Sequence, residues 1–147
     1  MRGRRTLLCG MLAVMVACGS EDPAAELRSL IDRAELSAEE RDTGFFRDVL
    51  SQRYADRRGN DRDRLVAILR GYFLTHQSIE IVTRVDSVVL SGADAAEIVL
   101  YVGMLGRRDG ASPVAGLAGQ LYRIELELVE QGGDWQVIGA DWERSLE

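Results

Sequence analysis

The stretch from Gln120 to Arg144 constrains the fold most, because it has the pattern of two strands joined by a tight turn. In its first half, apolar residues at 122, 124, 126 and 128 alternate with charged residues at 123, 125 and 127. A period of two is typical of a strand with one buried face and one solvated face. Gly132-Gly133 supplies residues that accept a positive φ, as a hairpin turn requires, and Trp135 to Glu143 forms the returning strand. The sequence therefore predicts an antiparallel hairpin. The upstream segments are predicted to be further strands of the same sheet or helices that cover its apolar face.

Two further strands are predicted upstream of this hairpin. Ser78 to Leu90 shows the same alternation, and Ala96 to Met104 has an apolar residue at every second position. The intervening Ser91 to Asp94 is predicted to be a turn. The interval from Gly106 to Gly119 contains four glycines, a proline and two arginines, which predicts a long mobile loop between neighbouring strands.

Upstream of the predicted strands, apolar residues recur at helical spacing. Asp22 followed by Pro23 is typical of a capped helix start. Ser37 and Glu40 form a capping-box pattern, which predicts that a helix starts or restarts there. Whether residues 24–50 form one bent helix or two is left open by the pattern.

A later helix, capped by Asn60 or Asp61, is predicted to end near His76. The apolar side predicted for this helix consists of Leu65, Ile68, Leu69, Tyr72 and Phe73.

Helices followed by a run of antiparallel strands give an α+β order. The segment Tyr54 to Asp63, then a helix, then strands closing on Trp135 to Trp142, resembles the nuclear transport factor 2-like superfamily. The resemblance extends from Ala24 to Arg144. It implies a cone in which N-terminal helices pack in the concave face of a curved antiparallel sheet of about four strands, with a cavity at the wide end. A domain comprising residues 24–147 is expected.

The N-terminus has the parts of an export signal, predicted to comprise residues 1–17. Arginines at 2, 4 and 5 precede an apolar run from Leu7 to Ala17, which is shorter than the roughly 20 residues that span a bilayer. The run ends in Met15-Val16-Ala17-Cys18, which resembles a bacterial lipobox. The resemblance implies that Cys18 is acylated and begins the mature chain, with residues 18–23 as a tether. An Asp at position 19 would signal retention in the inner membrane. Gly19 therefore resembles lipoproteins that are sorted to the outer membrane, where the host has one.

An incidental thiol at Cys18 is the alternative. Cys9 lies inside the segment that would be removed, so Cys18 would then be an odd thiol in an oxidising compartment. Acylation is the preferred interpretation for this reason.

Charge disfavours nucleic acid as a partner. The chain has a net charge of −6 and no lysine; without the three N-terminal arginines it keeps 15 basic and 24 acidic residues, a net charge of −9. Such a surface repels phosphate backbones.

An enzyme of the resembled superfamily would place acid–base groups in the cone. The catalytic candidates are Tyr54, Asp56 and His76, with Tyr72, Tyr101 and Tyr122 as further candidates. For His76 we prefer a surface or capping imidazole, and for Asp56 a solvated carboxylate paired with neighbouring arginines. No set of metal ligands, phosphate-binding glycine loop or nucleophile elbow is visible, so no metal and no cofactor is expected.

The aromatic residues suggest a pocket for a small apolar ligand at the mouth of the cone. Its predicted members are Phe46, Tyr54, Tyr72, Phe73, Tyr122 and Trp142. For Phe46, Phe73 and Trp142 ordinary core packing is the preferred alternative, whereas the three tyrosines each carry a hydroxyl that needs a partner when buried.

The sequence thus predicts a non-catalytic, lipid-anchored binding protein of the bacterial cell envelope, on the periplasmic side. Its partners would be the membrane, through Cys18, and a small apolar ligand or an envelope protein. The outer sheet face is charged, which predicts a monomer or a weak homodimer. The alternative is a small-molecule enzyme of the polyketide cyclase or isomerase type.

Overall fold

The computed structural model describes residues 22–108 and 117–145. Three helices precede a four-stranded antiparallel sheet with the order β1-β2-β3-β4. The elements are α1 (Pro23–Glu39), α2 (Thr43–Val49), α3 (Arg62–Thr75), β1 (His76–Ser91), β2 (Ala95–Arg108), β3 (Leu117–Gln131) and β4 (Asp134–Arg144). The sheet is curved and the helices cover one of its faces, so the predicted α+β class and cone-like architecture are confirmed.

Helix α1 begins as predicted. The Asp22 side chain accepts a hydrogen bond of 3.0 Å from the Ala24 amide, and Pro23 occupies the first helical position. The missing N–H of proline costs nothing there, because the first amides of a helix have no partner within it.

The predicted capping box at Ser37 and Glu40 is wrong, because α1 continues through Ser37 to Glu39. The helix then closes with the Asp42 amide bonded to the Ser37 carbonyl and the Arg41 amide bonded to the Ala38 carbonyl. This pair of bonds, with Arg41 at φ 60°, is the Schellman arrangement that ends a helix.

A separate helix follows this stop. Asp42 caps α2 by accepting a hydrogen bond of 2.8 Å from the Gly44 amide. The N-terminal helical segment is therefore two helices.

Helix α3 is capped by Asp61, which accepts a hydrogen bond of 2.8 Å from the Arg64 amide. Its buried residues are Val66 and Phe73, which are seven positions apart and share a face. Ile68 is 48% exposed, so its predicted place on the apolar side is wrong. Two positions along a helix turn a side chain by about 200°, which places Ile68 opposite Val66.

The sheet buries one face against the helices. Residues 96, 98, 100 and 102 of β2 lie opposite residues 128, 126, 124 and 122 of β3, and all of these side chains point to the same face. At the centre, Leu27 of α1, Ile98 and Leu128 are each at most 1% exposed. Register shifts in β1, between Val85 and Ser87, and in β4, opposite Glu127 and Leu128, add local bends to the sheet.

The hairpin that the sequence predicts is present. Strands β3 and β4 are joined at Gly132 and Gly133, with φ values of 67° and 94°. Two consecutive positive φ angles match the right-handed twist of the flanking strands.

The loop predicted from Gly106 to Gly119 is wrong at both ends. Gly106 pairs with Ala118 and Arg107 with Leu117, so β2 and β3 extend into this interval. Glycine weakens a strand but still carries the backbone groups that form the ladder. Residues 109–116 lie outside the described residues.

Helix α1 also covers the free edge of β1. The Glu35 carboxylate accepts a hydrogen bond of 2.9 Å from the Thr83 amide, and Glu39 accepts one of 3.0 Å from the Ile81 amide. These amides belong to an outermost strand, where a backbone donor has no neighbouring strand to bond.

Among residues 22–108 and 117–145, no helix combines the length and the hydropathy that crossing a membrane requires.

Candidate functional site

The segment between α2 and α3 lies along the outer edge of β4. The Ser51 amide donates to the Val137 carbonyl at 2.9 Å, and the Ala55 amide donates to the Ile138 carbonyl at 3.1 Å. This segment carries Tyr54 and Asp56, two of the predicted catalytic candidates.

Asp56 organises the turn that follows. One carboxylate oxygen accepts from the Arg58 amide (2.9 Å) and from the Asn60 amide (2.8 Å). The other oxygen accepts from the Asn60 side-chain amide (2.8 Å) and, at 3.4 Å, from the Tyr54 hydroxyl. Asp56 is only 9% exposed, so the prediction of a solvated, arginine-paired carboxylate is wrong.

These contacts move the pKa values of Asp56 and Tyr54 away from neutral pH, where a catalytic acid or base would need them to lie. Burial by itself would raise the pKa of Asp56, but the hydrogen bonds from Asn60, Arg58 and Tyr54 outweigh it and lower that pKa. Burial raises the pKa of Tyr54, and the adjacent Asp56 charge and hydrogen bond raise it further. A carboxylate that is ionised and saturated with donors is a weak proton acceptor, and this phenol holds its proton firmly.

His76 ends α3 and is buried, with 7% of its surface exposed. Its Nδ1 lies 2.8 Å from the Tyr72 carbonyl oxygen, which only accepts, so Nδ1 carries the hydrogen. The ring also stacks on Tyr72, with 4.0 Å between centroids. The predicted capping role is confirmed, whereas the surface position is not.

Ring contacts connect α2 to the end of α3. Phe45 meets Phe46 edge-on at 5.4 Å, Phe46 lies 6.1 Å from Phe73, and Phe73 lies 6.4 Å from Tyr72. The structure thus brings together three predicted pocket residues (Phe46, Tyr72 and Phe73) in one aromatic row, which continues to His76. Offset and edge-on ring pairs of this kind stabilise by about 0.5–1.5 kcal/mol each beyond burial.

Two other predicted pocket residues are joined through the turn at Asp56. The Arg58 guanidinium lies 4.4 Å above the Trp142 ring and donates to the Trp142 carbonyl at 2.5 Å. The Arg58 amide also donates a hydrogen bond to Asp56, which in turn accepts one from the Tyr54 hydroxyl.

Tyr122 lies on β3 on the sheet face that meets the helices, and its hydroxyl donates a hydrogen bond to Gln120. That all six residues line one pocket stays a prediction.

Tyr101 lies on the opposite, outer face of the sheet. Its neighbour Val102 is buried against the helices, and the Arg84 guanidinium lies 5.0 Å from the Tyr101 ring. This further catalytic candidate therefore does not point into the cone.

The sequence did not indicate that Arg58 contacts Trp142. It also did not indicate that Glu35 and Glu39 accept hydrogen bonds from amides at the edge of β1. The four-residue spacing of the two glutamates is a visible signal that both occupy one helix face. Nothing in the sequence states that this face meets the edge of β1.

A hollow of about 180 Å³ lies where the turn at Asp56 meets the outer face of β3 and β4. It is lined by Arg57, Arg123, Glu125, Asp141, Trp142 and Glu143. Arg57 and Asp141 form an ion pair of 2.8 Å, and Arg123 pairs with Glu125 at 2.5 Å. The basic groups are thus already neutralised, which does not favour an anion site.

Across the described part of the chain, no three His, Cys, Asp or Glu side chains are grouped so as to hold a metal ion.

Comparison with known proteins identifies the fold. A ketosteroid isomerase-like protein from Erwinia carotovora atroseptica superimposes with a TM-score of 0.69 at 12% identity, covering 86% of this chain and 99% of that protein. A nuclear transport factor 2-like superfamily protein from Salmonella enterica gives 0.69 at 11% identity, covering 84% and 91%. A type 2 hexachlorocyclohexane dehydrochlorinase gives 0.69 at 10% identity, covering 84% and 86%. The chain therefore has the nuclear transport factor 2-like fold.

The comparisons go no further than the fold. No protein-family model matches the sequence, and no curated protein matches it. Proteins with this fold include isomerases, dehydratases and binding proteins, so function has to be argued from the residues of this chain.

Proposed function

We propose that this protein is a lipid-anchored, non-catalytic binding protein of the bacterial cell envelope, whose cone holds a small apolar ligand. The observation that carries the non-catalytic part is the closed set of hydrogen bonds around Asp56. Its two carboxylate oxygens accept four bonds within one turn, from Tyr54, Arg58 and Asn60. An Asp used in this way shapes the chain and leaves no lone pair directed at a substrate.

His76 supports the same conclusion. Its Nδ1 is bonded to the Tyr72 carbonyl at the end of α3, where the last carbonyls of a helix need donors. The imidazole therefore completes the helix end and supports the aromatic row.

The aromatic row supports an apolar ligand. Phe45 and Phe46 are only partly buried, and Phe46 contacts the buried Phe73. Apolar walls with a few polar groups are the usual composition of a small-ligand site. We assign the polar part of this site to the hydroxyls of Tyr72 and Tyr122.

The envelope anchor rests on the sequence. Cys18 ends a lipobox-like segment, and acyl chains attached there would contribute about 0.8 kcal/mol for each buried CH₂.

Native mass spectrometry of the protein purified from membranes tests the proposal. We expect wild-type protein to carry a small apolar molecule, Phe46→Leu to carry less of it, and Val82→Ala to retain it. Val82 is 69% exposed on the sheet face away from the helices and is the matched control. Equal occupancy in Phe46→Leu and wild type, or recovery of a protein partner in place of a small molecule, would contradict the ligand assignment.

An enzyme of the isomerase or dehydrochlorinase type is the second candidate. It is favoured by the activities that the names of two fold neighbours give, an isomerase-like protein and a dehydrochlorinase. Incubating the recovered ligand with purified protein separates the two functions: a binding protein returns it unchanged. Conversion that is lost in both Asp56→Asn and His76→Gln, with folding retained, would identify the enzyme.

A further inference from the structure

The direction of α1 relative to β1 fixes which end of the domain lies near the chain start. Glu35 bonds the Thr83 amide and Glu39 bonds the Ile81 amide, so α1 and β1 run in opposite directions. Pro23 lies twelve residues before Glu35, about 18 Å along the helix at 1.5 Å per residue. The same length of strand is about five residues. The start of α1 therefore lies beside the Ser91 end of β1.

Both two-strand turns lie at this end. The β1–β2 turn comprises residues 92–94 and the β3–β4 turn comprises Gly132 and Gly133. The Glu130 amide donates to the Asp94 carbonyl at 2.8 Å and ties the two turns together. We call this group, residues 89–94 and 130–134, the turn end.

The turn end carries exposed apolar side chains. Val89 is 53% exposed and Leu90 is 40% exposed, next to the β1–β2 turn. Asp94 and Asp134 are exposed there as well, so the carboxylates of this surface disfavour anionic lipid and suit zwitterionic headgroups.

The tether is too short to let the domain reorient freely. Four residue steps separate Cys18 from Asp22, and an extended chain spans at most about 14 Å over that length. An acylated Cys18 lies at the bilayer surface, so the start of α1 has to stay within this distance of the lipid.

We propose that the anchored protein stands with its turn end on the lipid surface, so that Val89 and Leu90 contact zwitterionic headgroups and the His76 end points away. This inference rests on the proposed acylation of Cys18. His76 and Ser91 bound a strand of 16 residues, so the two ends are on the order of 50 Å apart along β1. The aromatic row near His76 would then face the periplasmic space, open to ligand.

Site-specific fluorescence quenching tests this orientation. The two cysteines of the chain are Cys9, in the removed segment, and Cys18, whose sulfur is consumed by acylation, so one introduced cysteine can be labelled selectively. Ala93→Cys places an environment-sensitive dye at the turn end, and Leu74→Cys places it beside His76, where Leu74 is 77% exposed. Both acylated proteins are reconstituted in phosphatidylcholine vesicles with and without nitroxide-headgroup lipid.

We expect the dye at position 93 to be quenched at least twofold more than the dye at position 74, and the difference to shrink as phosphatidylglycerol replaces phosphatidylcholine. Val89→Asp should reduce quenching at position 93, whereas Val82→Asp, on the same strand but remote from the turn, should not. Equal quenching at the two positions, or stronger quenching at 74, would overturn the orientation.

Intact mass measured on the same samples separates the two proposals. Acylated protein with the wrong quenching pattern removes the orientation only. Unmodified Cys18 removes the anchor, and the orientation with it.

Discussion

The Glu35 carboxylate on α1 accepts hydrogen bonds from both the amide (2.9 Å) and the hydroxyl of Thr83 on β1. A helix side chain here occupies the place that another strand would take at the edge of the sheet. Unpaired edge strands are sites of association between chains, and charged groups on them oppose it. The contact thus fixes α1 against the sheet and protects the edge of β1.

Glu35→Ala should lower the free energy of unfolding by about 1–3 kcal/mol, because the Thr83 amide loses a charged acceptor. Glu35→Gln keeps an acceptor oxygen and should cost less. Urea denaturation measures the change, with Asp32→Ala, an exposed acid on the same helix, as the control. Equal stability of Glu35→Ala and Asp32→Ala would show that the edge contact contributes nothing.

Lowering the pH should reduce the contribution of Asp56 to the stability of the folded protein. Its pKa is lowered in the folded protein, so its stabilisation is fully present above the unfolded-state pKa of about 3.9 and is lost as the pH falls through the lower folded-state value. Asp56→Asn should therefore be less stable than wild type by about 1–3 kcal/mol near pH 7. The difference should shrink toward pH 3.

Urea unfolding at several pH values measures this difference, with Asp48→Asn, an exposed acid on α2, as the control. A stability gap for Asp56→Asn that does not change with pH would contradict the assigned direction of the pKa.

Arg58 should matter more than its neighbour Arg57. Arg58→Ala removes both the ring contact and the hydrogen bond to Trp142, which we expect to cost about 1–2 kcal/mol and to change the tryptophan emission. Arg57→Ala removes an exposed ion pair with Asp141 and should cost less than about 1 kcal/mol, an effect that disappears in high salt. The reverse order of the two losses would refute the role assigned to Arg58.

Substitutions at Val66 and Ile68 test which face of α3 is buried. The structure buries Val66, whereas the apolar pattern of the sequence placed Ile68 on the buried side. Val66 is 1% exposed, so Val66→Ala should cost about 2 kcal/mol through lost burial and a cavity. Ile68 is 48% exposed, and Ile68→Ala should change stability by less than about 0.5 kcal/mol. Thermal unfolding of the two variants decides the question, and equal losses would mean that the helix is rotated.

The strands were predictable because their signal is local. Alternation along residues 122–128 and the pair Gly132-Gly133 specify a half-buried hairpin with no knowledge of the rest of the chain. Asp22 and Pro23 specify a helix start in the same way. The end of α1 was misjudged because Ser37 matches a start signal, whereas the stop is set by the backbone at Arg41, a residue that rarely adopts a positive φ.

The candidate site was less predictable for two reasons, the backbone geometry of one turn and one contact between distant parts of the chain. Asp56 has arginines on either side in the sequence, but its partners are Tyr54, the Arg58 amide and Asn60. Local composition indicated a solvated ion pair, whereas the turn geometry brings backbone donors to the carboxylate. Likewise the contact of Arg58 with Trp142 spans 84 positions, and no pattern within either segment indicates it.

The most direct measurement of the proposed envelope anchor is the intact mass of the protein extracted from the membrane fraction of a bacterial host. We predict a mature chain that begins at an acylated Cys18, and a Cys18→Ser variant that is neither processed at this position nor acylated. A soluble mature protein with a free thiol at Cys18 would contradict the anchor and the orientation that follows from it.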